Sequence, residues 1–248
     1  MTAIVSVGRM ARLEPAVVDV WSVGLRLPPS ERPSLAETLS MEERARAARF
    51  HFDRDRERFT AARGWLRRIL GSYCGRPPGD LVFTHGPRGK PALASEDGDR
   101  LRFNLAHSSG RALIAVTRDR EVGVDLEDLQ RATEWERVAR RFFAAGEVAA
   151  ILGQPAGARR AAFFACWTRK EAYAKARGDG LALPFDAFEV SVDPADEEPS
   201  LTTPSDPDEA LRWSLHSLRP APGFMAALAV SGREARLRRL SAEAPWSS

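Results

Sequence analysis

The sequence predicts an α+β fold of two similar α/β lobes, and three observations carry that expectation. Each half of the 248 residues reads as a strand, then helices, then several short strands, an order unlike strict βαβ alternation. The second half repeats the plan of the first. A hydrophobic content of 44% and a charged content of 29% are ordinary for a globular chain with ample core. The division falls near Arg118 to Arg120. That gives an N-terminal lobe at 1–118, a C-terminal lobe at 119–231, a cleft between them, and a polar, peripheral tail at 232–248.

Val17 to Leu27 alternates apolar residues and reads as the first strand. Leu35 to Phe52 is helically periodic, with Ser40 as N-cap and Glu43 in the capping-box position. A second helix spans Phe59 to Cys74, with Trp65, Leu66, Ile69 and Leu70 on its apolar face; Gly75 and Pro77-Pro78 stop it. Leu81 to Phe83, Leu101 to Ala106 and Ala112 to Thr117 read as strands, and Gly86 to Pro91 as a loop. In the second half, Val122 to Leu126 is a strand, and Trp135 to Phe143 and Glu147 to Leu152 are helical. A long helix from Arg159 to Arg177 ends at Gly178. Phe188 to Val192, Trp213 to Leu218 and Gly223 to Val230 are the last strands, with Pro194 to Glu209 a flexible loop among them.

No apolar run approaches the roughly twenty residues that span a bilayer. Met1 to Val7 is short, is followed by Arg9 and Arg12, and lacks a secretory apolar region. Cys74 and Cys166 have no metal-like spacing, and Cys166 reads as a core residue. A cytoplasmic protein with no membrane partner is expected. The net charge is only +3, yet arginines crowd the segment from Arg44 to Arg68. They form either a solvated helix face or an anion site for nucleic acid or a phosphorylated small molecule. Glu42, Glu43, Asp53, Asp55 and Glu57, interleaved with them, argue against an open nucleic-acid surface.

Two carboxylate clusters carry the chemistry. The first is Gly123-Val124-Asp125-Leu126-Glu127; the second runs from Trp167 through Lys170, Glu171 and Lys175 to Gly180-Leu181. In a strand, Asp125 and Glu127 project from one face, and like carboxylates repel unless a cation lies between them. In a helix, Trp167, Glu171 and Lys175 share a stripe, and Glu171 with Lys175 also fits an ordinary surface ion pair. Taken together, three carboxylates suit Mg²⁺ beside a diphosphate, with Mn²⁺ able to use the same oxygens. A carboxylate there could take a proton from an incoming hydroxyl, and Lys175 could neutralise a leaving phosphate. No G-x-x-x-x-G-K-[ST] motif occurs, so this is phosphoryl transfer without a P-loop.

The G-V-D-L-E strand and the W-T-R-K-E-A-Y-A-K-A-R-G-D-G-L helix resemble the signature of the 4′-phosphopantetheinyl transferases. The resemblance is to the larger, pseudo-dimeric class typified by the surfactin-synthetase activating enzyme. Gly89-Lys90-Pro91, Phe103-Asn104-Leu105-Ala106-His107-Ser108, Ala139-Arg140-Arg141-Phe142-Phe143 and Gly180 to Pro184 resemble further family elements in the family's order. Coverage runs from about Val17 to Val230.

The resemblance implies pseudo-two-fold lobes with the active site in the cleft between them. It implies transfer of the phosphopantetheine arm of coenzyme A to a carrier-protein serine, with release of 3′,5′-ADP. Asp125, Glu127 and Glu171 would hold Mg²⁺; Glu171 would also be the base and Lys175 would assist departure of the ADP. Coenzyme A would be met by Lys90, His107, Ser108 and Thr60, by Lys170 and Lys175 at the diphosphate, and by Arg44, Arg46 and Arg49 at the 3′-phosphate. Lys170 has a structural role as its alternative, and Trp167 reads as packing. Ala106 stands where the family commonly has serine. The implied partner is an acidic apo carrier protein, which a basic chain favours electrostatically. Residues 143–162 are candidates for its docking surface. The duplicated architecture implies a monomer. The competing reading is an inactive CoA- or carrier-binding module, against which the intact set of carboxylates and Lys175 counts.

Overall fold

The computed structural model describes residues 3–4, 13–14, 16–94 and 100–242. They fall into two compact units. One holds the described residues within 1–84, 91–119 and 236–248, the other residues 85–90 and 120–235. The mix of helices and sheets is that of the α+β class. Among the described residues, no helix is long and apolar enough to cross a membrane.

The first unit contains β1 (Ala3–Ile4), β2 (Val17–Gly24), α1 (Arg32–Ala36), α2 (Met41–Ala48), α3 (Asp53–Cys74), β3 (Phe83–His85), β4 (Pro91–Leu93), β5 (Leu101–Ser108), β6 (Arg111–Arg118) and β12 (Arg236–Ala242), although His85 itself falls in the second unit. Its five-stranded sheet has the order β1-β12-β2-β6-β5, antiparallel through β2, β6 and β5 and parallel where β12 joins β2. Trp65, Leu66, Ile69 and Leu70 of α3 pack with Trp21, Val23, Phe103, Ile114 and Val116 of the sheet. Ser40 and Glu43 form the expected capping box: the Ser40 hydroxyl accepts from the Glu43 amide at 3.2 Å, and the Glu43 carboxylate accepts from the Ser40 amide at 3.0 Å. That cap starts a new helix, so the single helix expected over 35–52 is two, α1 and α2. Helix α3 begins earlier than Phe59, with Asp53 and Asp55 complementing the positive end of its dipole. It stops at Gly75, whose φ of 63° lies in the left-handed region.

The expected peripheral tail is a correction. Residues 236–242 form β12, which lies between β1 and β2, with Leu240 and Ala242 buried. Its alternation is obscured by arginines, one of which is structural. Arg238 reaches both oxygens of Asp19 at 2.7 Å, and Asp19 is fully buried and also accepts from the Tyr73 hydroxyl.

The second unit contains β7 (Val122–Asp128), α4 (Trp135–Phe142), α5 (Ala145–Gly153), α6 (Ala156–Arg177), β8 (Glu189–Val190), β9 (Leu201–Thr202), α7 (Pro207–Leu211), β10 (Trp213–Leu218) and β11 (Phe224–Ser231). The flexible loop expected at 194–209 therefore carries β9 and the start of α7. An antiparallel sheet of order β10-β11-β7 sets Asp125 opposite Ala227 and Glu127 opposite Met225. Helix α6 lays Phe163, Cys166, Ala172, Tyr173 and Ala176 into a core shared with Leu215, Met225, Ala227 and Ala229.

Arg238→Ala would leave Asp19 buried without its guanidinium. The expected loss is about 2–3 kcal/mol of unfolding free energy, at the low end for a buried pair because Arg238 is partly exposed. Arg236→Ala, whose partner Glu14 is exposed, should change stability by less than about 1 kcal/mol. Urea denaturation of the two variants checks the difference.

Candidate active site

Asp125 and Glu127 meet the long helix because β7 and α6 touch backbone to backbone. A β-carbon on Gly123 would lie 2.1 Å from the Ala172 carbonyl oxygen and 2.3 Å from the Ala176 amide nitrogen. Residues 123, 125 and 127 share one face of the strand, so the carboxylates follow Gly123 toward the helix. There Lys175 Nζ donates to Asp125 Oδ1 at 2.5 Å and stands 4.0 Å from Glu171 Oε2. Asp125 is buried, and its Oδ2 has no hydrogen-bond partner among the described residues. One nitrogen of Arg131 reaches both oxygens of the buried Glu127, at 3.0 and 3.1 Å.

Electrostatics separates the members. Burial raises the pKa of Glu171; Lys175 opposes the rise, and Asp125 and Glu127 add to it. Burial works against the charge of Lys175, but Asp125, Glu171 and Glu127 outweigh it and raise its pKa. The lysine is thus held protonated, while Glu171 binds a proton more readily than a free carboxylate.

No group of three or more metal-ligating side chains converges among the described residues. Lys175 and Arg131 hold Asp125 and Glu127 in ion pairs. The donor set still fits a hard divalent ion. All its donors are oxygens, Asp125 Oδ2 is a buried acceptor without a partner among the described residues, and Asp125 and Glu127 both act on Glu171.

Lys170 is a correction. It is wholly buried, and its three donors go to Glu147 at 2.8 Å and to the carbonyls of Phe185 and Phe188 at 2.5 Å each. Nothing of it remains for a diphosphate; its alternative, structural role is the one the contacts describe. Trp167 packs on Phe143 and Phe163 and lines a cavity of about 490 Å³ with Glu171, Arg141, Phe142 and Phe185. Lys90 falls in the second unit rather than the N-terminal lobe, pairing with Glu121 at 2.7 Å and donating to the Ala176 carbonyl at 2.6 Å.

In the first unit, Arg44 and Thr60 line one cavity of about 520 Å³ together with Leu25, Leu35 and Arg56. Thr60 lies inside α3. Arg46 instead lies over the Phe59 ring, 5.3 Å from its centroid, and Arg49 is exposed. Arg63 and Arg67 are spent on Glu43, at 2.5 Å each, so part of the arginine-rich segment is structural. His107 is exposed and Ser108 buried at the end of β5, the sheet's edge strand; Ala106 is buried.

Near the turn that follows them lies Arg26, missed in the sequence, which joins Arg54 and Arg58 of the arginine-rich segment. Burial lowers the pKa of Arg58, as do Arg54 and Arg26, and its buried Nε has no partner among the described residues. Arg26 Nε lies 3.1 Å from where a Gly110 β-carbon would stand. Arg26 is distant in sequence from Arg54 and Arg58, so no local signal joins them.

Two family models match the chain. That of the 4′-phosphopantetheinyl transferase superfamily covers residues 121–229, and that of the 4′-phosphopantetheinyl transferase N-terminal region covers 28–119. The chain is 42% identical to the 4′-phosphopantetheinyl transferase HetI of Nostoc sp. over 87% of its length and 88% of that protein. It is 29% identical to the 4′-phosphopantetheinyl transferase psf-1 of Bacillus pumilus over 74% and 80% of the two chains. With the 4′-phosphopantetheinyl transferase Sfp of Bacillus subtilis it shares 28% identity over 62% and 66%. The chain belongs to the 4′-phosphopantetheinyl transferase superfamily, and to its Sfp-like type.

Gly123→Ala should cost about 3 kcal/mol or more, above the usual overpacking range because the clash is with backbone; chemical denaturation measures it. A carboxyl whose folded pKa is raised stabilises the fold below its unfolded value and loses that contribution as pH rises through the folded one. Glu171→Gln should therefore be more stable than the natural chain at pH 7, and the gain should vanish as pH falls below the ordinary value of 4.5. Paired denaturation curves across that range test the sign.

Proposed function

We propose that the chain moves the 4′-phosphopantetheine arm of coenzyme A onto a serine hydroxyl of an acidic apo carrier protein and releases 3′,5′-ADP. Its family is that of enzymes named for this transfer. The observation that carries the detailed reading is the grouping of Asp125, Glu127, Glu171 and Lys175 across β7 and α6.

Asp125, Glu127 and Glu171 would hold Mg²⁺ or Mn²⁺. Such an ion, when bound, neutralises charge building on the phosphoryl group. Glu171 accepts the serine proton at its carboxylate, a role its raised proton affinity favours. Lys175 stays protonated and places its ammonium against the phosphate that departs as part of 3′,5′-ADP. Lys90 and His107 contact the phosphates of coenzyme A. For the nucleotide end, the cavity with Arg44 and Thr60 and the Arg26, Arg54, Arg58 cluster supply candidate cations. The finer architecture, pseudo-two-fold lobes with the site in their cleft, belongs to the same proposal. So do a cytoplasmic monomer and carrier docking along residues 143–162.

Incubation with coenzyme A, Mg²⁺ and apo carrier proteins, followed by intact mass measurement, should show a gain of one phosphopantetheine arm. Glu171→Gln should lower kcat by about 10²–10⁴-fold, the usual weight of general acid–base catalysis. Asp125→Ala should abolish transfer. Unmodified carriers across a panel, or full activity in both variants, would remove the proposal.

A further inference from the structure

Arg131 is held in an unusual way for a surface arginine. Its backbone is fixed in the turn after β7: the Arg131 amide donates to the Asp128 carbonyl at 3.1 Å, and the Gln130 amide donates to Asp128 Oδ1 at 2.8 Å. Arg160 of α6 clamps the same turn, donating to the Leu129 carbonyl at 2.8 Å and also to the Arg131 carbonyl. From that anchored backbone the side chain turns back and caps both oxygens of Glu127 with one nitrogen. The two partners differ in environment: the Arg131 side chain is 59% exposed and that of Glu127 only 10%. The carboxylate is a fixed fixture of β7, whereas the guanidinium can swing into water without disturbing the fold.

We propose that Arg131 is a built-in competitor for the divalent ion at Glu127, holding the carboxylate until a metal ion takes those oxygens and thereby setting the metal affinity of the chain. The inference rests on Glu127 being a metal ligand. An ion on the Glu127 oxygens would stand close to the guanidinium charge, and like charges within a few ångströms repel. Metal binding therefore includes the cost of moving Arg131 aside. That cost is small, because an ion pair with one partner in solvent is weak. Lys175 does not share this freedom: it stands in the last turn of α6, is less exposed than Arg131, and is held between Asp125 and Glu171.

The test titrates Mn²⁺ into the full-length chain, without coenzyme A or carrier, and counts free Mn²⁺ by its electron paramagnetic resonance signal. Arg131→Gln should bind Mn²⁺ roughly three- to fivefold more tightly than the natural chain, the ratio that losing an exposed ion pair supplies. Arg131→Lys, which keeps the charge, should stay near the natural affinity, an outcome that a merely structural role for the side chain would not produce. Asp125→Asn in the natural background should weaken binding and so locate the ion. If Asp125→Asn weakens binding but Arg131→Gln leaves it unchanged, or if Arg131→Lys behaves like Arg131→Gln, the competitor role is wrong while the metal site stands. If no chain binds Mn²⁺, or Asp125→Asn has no effect, the metal assignment itself fails and the inference falls with it.

Discussion

The backbone contact between β7 and α6 at Gly123 organises the second unit. A helix normally stands off a strand by the thickness of two side chains, and any side chain at 123 would restore that gap. With none there, the Ala172 carbonyl and the Ala176 amide come within 2.1 and 2.3 Å of the missing β-carbon. The short Asp125 side chain can then touch Lys175, and Glu171 comes within the field of Asp125 and Glu127. A wider spacing would leave these groups as separate solvated charges. Ala172 and Ala176, both small, maintain the approach from the helix side, and Ala227 and Ala229 line the same floor from β11.

That proximity concentrates like charge. Three carboxylates share the neighbourhood of one lysine and one largely exposed arginine, and burial together with Asp125 and Glu127 raises the pKa of Glu171 against the pull of Lys175. Such an arrangement costs folding free energy, as sites built for ligands commonly do. Two lysines on the same helix illustrate how position decides use. Lys170 and Lys175 are separated by roughly 140° around the helix axis. One points into the core, where Glu147 and two carbonyls absorb it, and the other reaches the carboxylates.

Features legible in the sequence were those written in local spacing. The Ser40–Glu43 cap, the end of α6 at Gly178 with φ of 77°, and the shared face of Asp125 and Glu127 all depend on residues within one turn or one strand. What escaped depends on partners far along the chain. The arginine-rich β12 hides Leu240 and Ala242 among charges and finds its reason in Asp19, near the other terminus. Arg63 and Arg67 look available for an anion until Glu43 is placed beside them. Lys170, inside a catalytic-looking motif, reads as functional because its partner Glu147 lies on another helix. Glycine 123 reads as a routine strand residue until the helix across from it is known.

Helix α6 also governs groups outside the carboxylate cluster. At its C-terminal end the Ala176 carbonyl, unpaired within the helix and at the negative pole of its dipole, accepts from Lys90. Just beyond, Asp179 takes Arg177 at 2.7 Å and also pairs with Arg88, giving the 85–90 segment a second tie to the same point. Gly178 turns the chain there, and a β-carbon on it would rest 3.4 Å from the Lys90 side chain. Glu171 and Lys175 lie on this helix and Lys90 is hydrogen-bonded to its end, and the helix's distance from the strand is set by Gly123. A shift of that helix would move Glu171 and Lys175 together against Asp125 and Glu127, so packing at a glycine with no chemistry of its own controls the geometry of the carboxylate–lysine cluster.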